Sequence, residues 1–383
     1  MFLTYVRWAV LAAAVLPGLY YAAVLIAAHR FFSRSRAKDF TPPVTLLKPV
    51  RGLDPEAYEN FASFCGQDYP EYEILFAVAS EQDPAVPTIR RVIGDFPRLS
   101  IRLLVTDGGR GSNDKVRKLC DLQRAARHDI LIVSDSDVRV GPEYLRTVAA
   151  PFRDDRVSAV TSLYSGIAPR GLWSKLEAIN LSSDFMPAVL VAKLIEGVRF
   201  TLGATMAVRR GCLDEIGGFE ALADSAADDH DLGRRLWERG HRVELVDAGV
   251  ATVCSSGNWH SFFRHHLRWA IMNRHSRPWG YFGYGVTLGL PWALVAAILA
   301  PSRRIALGYL AGYAILRSAV VIKVAVGGLR DPLLKRSWWL VSLWDAFAAI
   351  VWSVSLFWNR IRWQGIDYFV TDGRLVPAQS KDP

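Results

Sequence analysis

The sequence predicts an α/β domain with a parallel sheet, flanked on both sides by segments apolar enough to cross a membrane. Three observations predict it. Strand-like and helix-like patterns alternate from residue 42 to residue 137. Uncharged apolar runs occupy residues 8–28 and 281–300. Between them, the buried-strand pattern Ile130-Leu-Ile-Val133 ends in Ser134-Asp-Ser-Asp137, which puts two carboxylates at a strand exit.

Composition narrows the class. Of 383 residues, 51% are hydrophobic and 13 are tryptophan, which is heavy for a soluble enzyme. The formal net charge is +9. The basic residues cluster beside apolar runs, so anionic lipid headgroups fit better as partners than nucleic acid. Cys65, Cys120, Cys212 and Cys254 are scattered without a Cys-x-x-Cys pair, which indicates neither a zinc site nor a disulfide framework. Reduced thiols in a cytosolic domain fit.

The N-terminal unit is predicted over residues 1–41. Its apolar run 8–28 is too long for a signal-peptide core and contains Pro17-Gly18, which a membrane helix tolerates. His29, Arg30, Arg34, Arg36 and Lys38 follow. A basic flank on that side places the following domain in the cytoplasm.

Residues 42–279 are predicted to form that domain. Strands are expected at 44–47, 72–79, 101–105, 130–133 and 157–163. Asp54-Pro55 and Asp83-Pro84 read as helix starts, with the acid as cap and proline at the first helical position. Gly108 to Ser112 reads as a loop before a helix carrying Lys115, Val116 and Leu119. Residues 186–198 are apolar but carry Lys193 and Glu196, and read as an amphipathic segment at the membrane surface or as a core helix. Asp228, Asp229 and Asp231 precede the helical stripe Leu232, Leu236, Trp237, closed by Gly240. A further helix is expected over 258–274.

Residues 280–383 are predicted to be membrane helices and tail, with spans at 281–300, 305–326 and 338–358. Arg317 and Lys323 in the second span are costly there, and Asp345 in the third is a pairing partner or the residues snorkel. Every connecting loop is basic, so orientation of this part stays open.

Asp135 and Asp137 carry the chemistry. Paired hard oxygen donors at the carboxyl end of a buried strand suit Mg²⁺ or Mn²⁺ carrying a diphosphate, in the crevice where open α/β sheets bind ligands. The plain alternative is two acids facing water. His260, His265, His266 and His275 lack a carboxylate or cysteine at a zinc spacing.

The ordered pieces Phe64-Cys-Gly-Gln-Asp-Tyr-Pro70, Asp83-Pro-Ala85, Asn113-Asp-Lys115, Ser134-Asp-Ser-Asp-Val-Arg139, Gly203-Ala-Thr205, Gly217-Gly-Phe219, Ala227-Asp-Asp229 and Leu267-Arg-Trp269 carry a resemblance. Across residues 42–279 the chain resembles inverting, membrane-bound family-2-type glycosyltransferases with a Rossmann-like GT-A fold. More closely, it resembles ceramide glucosyltransferases and the bacterial hopanoid-associated glycosyltransferases. The resemblance implies that Asp83 accepts hydrogen bonds from the uracil of a UDP-sugar, while it also suits a helix cap. It implies that Asp135 contacts the nucleotide and that Asp135 and Asp137 hold the metal. Lys115 would face the phosphates or lie on a solvated helix face. Asp229 would be the general base, with Asp228 and Asp231 as competitors. Arg268 would bind the departing diphosphate and Trp269 would pack under sugar or acceptor. His265 stands where the family signature has Gln or Arg, which leaves its part in donor binding open.

The implied protein sits in a bacterial inner membrane with its catalytic domain cytoplasmic. It moves a hexose from a UDP-sugar to a lipid hydroxyl, with a ceramide-type acceptor ahead of a hopanoid polyol. A processive polysaccharide synthase would need more membrane helices. A non-catalytic scaffold or transporter would not need carboxylates at Asp83, Asp135, Asp137 and Asp229 together.

Overall fold

The computed structural model describes the chain except residues 34–38, 107–108, 170, 364–365, 372–373 and 378–383. Arg34, Arg36, Lys38 and Gly108 therefore lie outside the described residues.

Eight strands form one sheet: β1 (Val44–Pro49), β2 (Tyr72–Val78), β3 (Ser100–Val105), β4 (Ile130–Val133), β5 (Val138–Val140), β6 (Val157–Ile167), β7 (Met206–Arg209) and β8 (Arg242–Val253). Their order is β3-β2-β1-β4-β7-β6-β8-β5. The chain therefore runs outward from β1 to β3 and returns to place β4 on the other side of β1. That reversal makes the carboxyl ends of β1 and β4 a topological switch point, where the crevice of such a sheet opens. The apolar runs Val44–Leu47 and Ile130–Val133 fill the centre because both faces there are covered, and every residue of β1 and β4 is buried.

The expectation of a parallel sheet holds for β1 to β4 and for the pair β6–β8, and is corrected at β7 and β5. β7 runs antiparallel to β4 and β6, and β5 antiparallel to β8. Periodicity marks a strand but not its direction. β6 also extends to Ile167, past its expected end, and its pairing with β8 shifts register between Leu163 and Tyr164. A bulge of this kind re-aims the next side chain.

Asp54 does not cap a helix as expected. The helix begins at Ala57 after Glu56 in a left-handed conformation, and the Asp54 carboxylate instead accepts from Ser136 Oγ at 2.5 Å. Asn113 does cap its helix, Asp114–Ala125, by accepting from the N–H groups of Lys115 and Val116.

Among the described residues, three helices are long and apolar enough to cross a membrane: Phe2–Phe32, Gly171–Glu196 and Arg303–Gly328. The expected span 281–300 is instead two helices, Pro278–Thr287 and Gly289–Leu299, bent by 49°. The segment 186–198 is not separate either. It continues the helix Gly171–Asn180 through a π-helical turn, Leu181–Phe185. Within Gly171–Glu196, 61% of the most apolar window is buried, against 17% for Arg303–Gly328. This helix therefore forms the floor between the sheet and the outer helices. The last expected span shortens to Leu340–Ser355. Arg317 pairs with Asp345, donating from Nε at 2.8 Å and Nη2 at 2.6 Å, and also donates to the Ser183 carbonyl in the π-helical turn. Lys323 has no part in that pair. A three-stranded sheet, Arg360–Trp363, Ile366–Thr371 and Arg374–Pro377, was not expected. It packs through Ile361 and Tyr368 against Ile271 of the helix Trp259–Ser276.

Candidate active site

At the switch point, Lys48 lies inside β1 with no exposed surface. Its Nζ donates to the Asp135 carbonyl at 2.8 Å, lies 3.3 Å from Ser134 Oγ and sits 3.7 Å over the Phe64 ring. Burial pushes this amine down to about 7, against the pull of Asp135, Asp137 and Asp54. One buried cation thus fixes the exit of β4 from below.

Above it the acids gather. The Asp135 carboxylate pairs with Lys115 Nζ at 2.8 Å, and Lys115 reaches Asp228 at 3.0 Å. Burial works against the Lys115 charge, but Asp135, Asp228 and Asp229 outweigh it and hold the ammonium above its ordinary range. The Asp137 carbonyl accepts from the Val253 N–H at 2.9 Å, tying the loop to β8. Desolvation, then Asp135 and Asp54, pushes the Asp137 carboxyl well above the ordinary range. Like charges held this close are relieved by a cation, so the donor set fits a divalent ion.

Asp229 lies in the first turn of the helix Asp228–Glu238, and its Oδ2 accepts the Gly203 N–H at 2.9 Å. Desolvation and then Asp228 push its carboxyl up to about 6. Gly203 is the hinge of the constellation. A Cβ on it would stand 2.9 Å from Asp135 Oδ2, 3.5 Å from Asp229 Oδ2 and 3.7 Å from Lys115 Nζ. Asp135, Lys115 and Asp229, expected from separate motifs, therefore meet around one glycine.

Asp83 sits after β2, on the same edge of the sheet. Its carboxylate accepts the Gly52 N–H at 3.1 and 3.0 Å and the Ala85 N–H at 2.9 Å. It clamps the loop after β1 to the turn before the helix Val86–Asp95, but it is not the expected cap: the helix begins at Val86, its N-cap is Ala85, and no side chain caps it.

His265, Arg268 and Trp269 stand on the helix Trp259–Ser276, which begins with an Asn258–Ser261 capping box. The described contacts of His265 are with Glu177, at 3.5 Å, and with the Trp269 and His266 rings, centroids 5.1 and 5.4 Å away. Burial, then Arg268, pushes its imidazole down to about 3, so it is neutral. Arg268 is brought down to about 10 by burial, with Glu177 pulling the other way. The structure brings Trp269, but not Asp83, to the cavity that Asp229 lines.

That cavity has a volume of about 650 Å³. Asp229 and Trp269 line it together with Phe185, Val189, Tyr284 and Trp352. It thus runs from Asp229 to the apolar helices, through a wall that is mostly aliphatic and aromatic, and Asp135, Asp137, Lys115, His265 and Arg268 do not line it.

Three residues beside these acids escaped the sequence reading. Lys48 looked like the end of a strand. Asp54 looked like a cap. Tyr164, at the β6 bulge, is buried and its phenol is held well above the ordinary range by burial, then by Asp229, Asp135 and Asp137. A lysine inside an otherwise apolar strand was the one available signal, because such a residue requires a partner.

A mixed α/β sheet with acids at its switch point, beside helices apolar enough to cross a membrane, is the arrangement of a GT-A-type fold with candidate membrane spans. The sequence pattern of "Glycosyl transferase family 21" matches residues 8–376, and the chain belongs to that family. It is 27% identical over 229 residues to ceramide glucosyltransferase 1 of Caenorhabditis elegans, covering 60% of this chain and 49% of that protein. It is 32% identical over 141 residues to the ceramide glucosyltransferase of Komagataella phaffii, covering 33% of this chain and 28% of that protein. The chain thus spans about half the length or less of these relatives. The fold matches a mannosyltransferase, PcManGT from Pyrobaculum calidifontis, solved with GDP-Man and Mn²⁺. That match has a TM-score of 0.52 and 18% identity, covering 91% of this chain and 99% of the other. The expected GT-A fold is borne out.

Proposed function

We propose that this protein transfers a hexose from a UDP-sugar to the hydroxyl of a membrane lipid, with inversion, and that the acceptor is of the ceramide type. The observation that carries the reading is the shared wall of the cavity: Asp229 lines the same space as Tyr284 and Trp352 of the apolar helices. A water-soluble acceptor needs no such wall. The relatives' names, ceramide glucosyltransferases, support the acceptor class.

In this reading the donor lies across the switch point, with Asp83 by the base and Asp135 and Lys115 by the phosphates. Asp135 and Asp137 hold Mg²⁺ or Mn²⁺, which when bound supplies charge neutralisation for the departing diphosphate. Lys115 and Arg268 add fixed positive charge on the same side. Asp229, oriented by the Gly203 N–H, takes the proton from the acceptor hydroxyl as that oxygen attacks the anomeric carbon. Trp269 packs beneath the reacting groups, and the neutral His265 ring holds Trp269 in place. The apolar wall excludes water that would hydrolyse the donor. Residues 42–279 serve as the catalytic unit, facing the cytoplasm of a bacterial inner membrane, with residues 1–41 and 280–383 as its membrane portions.

The test is purified protein incubated with a panel of UDP-hexoses and of membrane lipids, ceramide and hopanoid included, read by mass spectrometry. A UDP-dependent hexosyl-ceramide supports the reading. Hexosylation of the hopanoid alone, or of no lipid, overturns it.

A further inference from the structure

The cysteines are scattered along the chain, yet the fold sets one of them beside two other ligand types. Cys212 and Glu215 stand three residues apart on the short helix Arg210–Glu215, which follows β7, so they share one face. His241 arrives from the far end of another helix, Asp228–Glu238. That helix closes in a Schellman turn. Gly240, at φ +85°, donates to the Trp237 carbonyl at 2.9 Å, and the His241 N–H donates to the Leu236 carbonyl at 3.1 Å. Arg239, in the same turn, donates to the Glu215 carbonyl at 2.6 Å. Backbone atoms on both sides therefore fix where the two helix ends meet.

The Cys212 sulfur, a Glu215 carboxylate oxygen and a His241 ring nitrogen all lie within 4.8 Å of one another. Glu215 and His241 are 2.8 Å apart. Around a tetrahedral zinc ion, with bonds of about 2.0–2.3 Å, such atoms are about 3.3–3.6 Å apart. Shifts on the order of 1 Å bring the three atoms there. The Glu215 side chain, 56% exposed, has room to make them. The plain alternative is a surface ion pair with a bystander thiol, which predicts no thiolate–metal bond.

We propose that Cys212, Glu215 and His241 form a binding site for a divalent ion of the zinc class, separate from Asp135 and Asp137 and independent of the reaction proposed above. Thiolate, imidazole and carboxylate together suit Zn²⁺, whereas the two carboxylates at the switch point suit Mg²⁺ or Mn²⁺. The exposure of Glu215 leaves space for water as the fourth ligand. The ion staples the segment after β7 to the end of the helix Asp228–Glu238, roughly 15 Å along that helix from Asp229. Sequence spacing hides the site, because Glu215 and His241 are 26 positions apart.

The experiment titrates the purified, EDTA-stripped protein with Co²⁺. A thiolate ligand gives a charge-transfer absorption in the near ultraviolet, and an all-oxygen site such as Asp135 with Asp137 gives none. Among the described residues no other cysteine meets two such donors. The band should appear with Co²⁺ and vanish on adding Zn²⁺, which binds such ligands more tightly. It should persist in Asp137→Ala and be lost in Cys212→Ser. His241→Gln should weaken Co²⁺ binding by at least the roughly tenfold that loss of an outer partner costs. Zn²⁺ should raise the thermal unfolding midpoint of the wild type by roughly 3 °C or more, and that of Cys212→Ser by less. If Cys212→Ser does not fold, the His241→Gln titration decides in its place. No thiolate band, a band that saturates only at millimolar Co²⁺, or a band unchanged in Cys212→Ser or His241→Gln overturns the site. Equal Zn²⁺ shifts of the midpoint in wild type and Cys212→Ser overturn it too.

Discussion

Gly203 donates its backbone N–H to Asp229 Oδ2 at 2.9 Å, and the same glycine has no room for a methyl group beside Asp135. The Asp229 and Asp135 carboxylates therefore converge on one glycine backbone. Gly203→Ala should drive Cβ into Asp135 Oδ2 and shift that carboxylate. Turnover should fall by about tenfold or more, the order expected of a small misplacement at a reacting centre. Steady-state kinetics on the folded variant measures it, and unchanged kcat would show that the tight contact is not needed.

Asp229 is the residue on which the rate depends if it is the base. Asp229→Asn keeps the size and the Gly203 contact but removes basicity, so turnover should drop roughly 10²-fold or more with UDP-sugar affinity retained. The pH profile follows from the sign. The carboxyl is raised to about 6, and only its ionised form accepts a proton, so activity should rise with pH through about 6 and level off above. A profile flat from pH 5 to 7, or loss of donor binding in the variant, contradicts the assignment.

Asp137 makes a prediction about cation binding. Its carboxyl is pushed up to about 8 by burial and by neighbouring acids, so it holds a proton at neutral pH that a divalent ion must displace. Mn²⁺ affinity, measured by calorimetry, should tighten by roughly tenfold per pH unit below about 8. Asp137→Ala should remove both the binding and the turnover, as EDTA should. Full activity in EDTA would count against a metal at this site.

Arg317 and Asp345 form an enclosed bidentate pair that also ties down the π-helical turn at Ser183. Removing one partner leaves a buried charge alone. Asp345→Asn or Arg317→Met should each destabilise the protein by roughly 3–5 kcal/mol, and the double replacement by less than the sum. Thermal unfolding in detergent, followed as a double-mutant cycle, checks this. Additive losses would mean the two side chains act independently.

Much of this arrangement was legible in the sequence because it rests on local patterns. Ile130-Leu-Ile-Val133 could only be a buried strand, and the acids behind it had to emerge at its end. Leu232, Leu236 and Gly240 framed the helix that carries Asp229. What failed depends on the third dimension. The direction of β7 is set by its partners β4 and β6, not by its composition. The 49° bend after Thr287 interrupts an apolar run that reads as continuous. The burial of Gly171–Glu196 reflects what lies on either side of it. Lys48 and Tyr164 gained their meaning only from neighbours 87 and 65 positions away, at Asp135 and Asp229.

The central claim is that a lipid reaches Asp229 through the cavity shared with the apolar helices. A ceramide-type lipid carrying a photoactivatable group in its chain, irradiated on the purified protein and mapped by peptide mass spectrometry, tests it most directly. Adducts should fall on cavity-lining residues such as Phe185, Val189, Tyr284 and Trp352, and excess unlabelled acceptor should suppress them. Adducts confined to the outer faces of the helices, for example at Ile298 or Ile315, and indifferent to competing acceptor, would contradict the account.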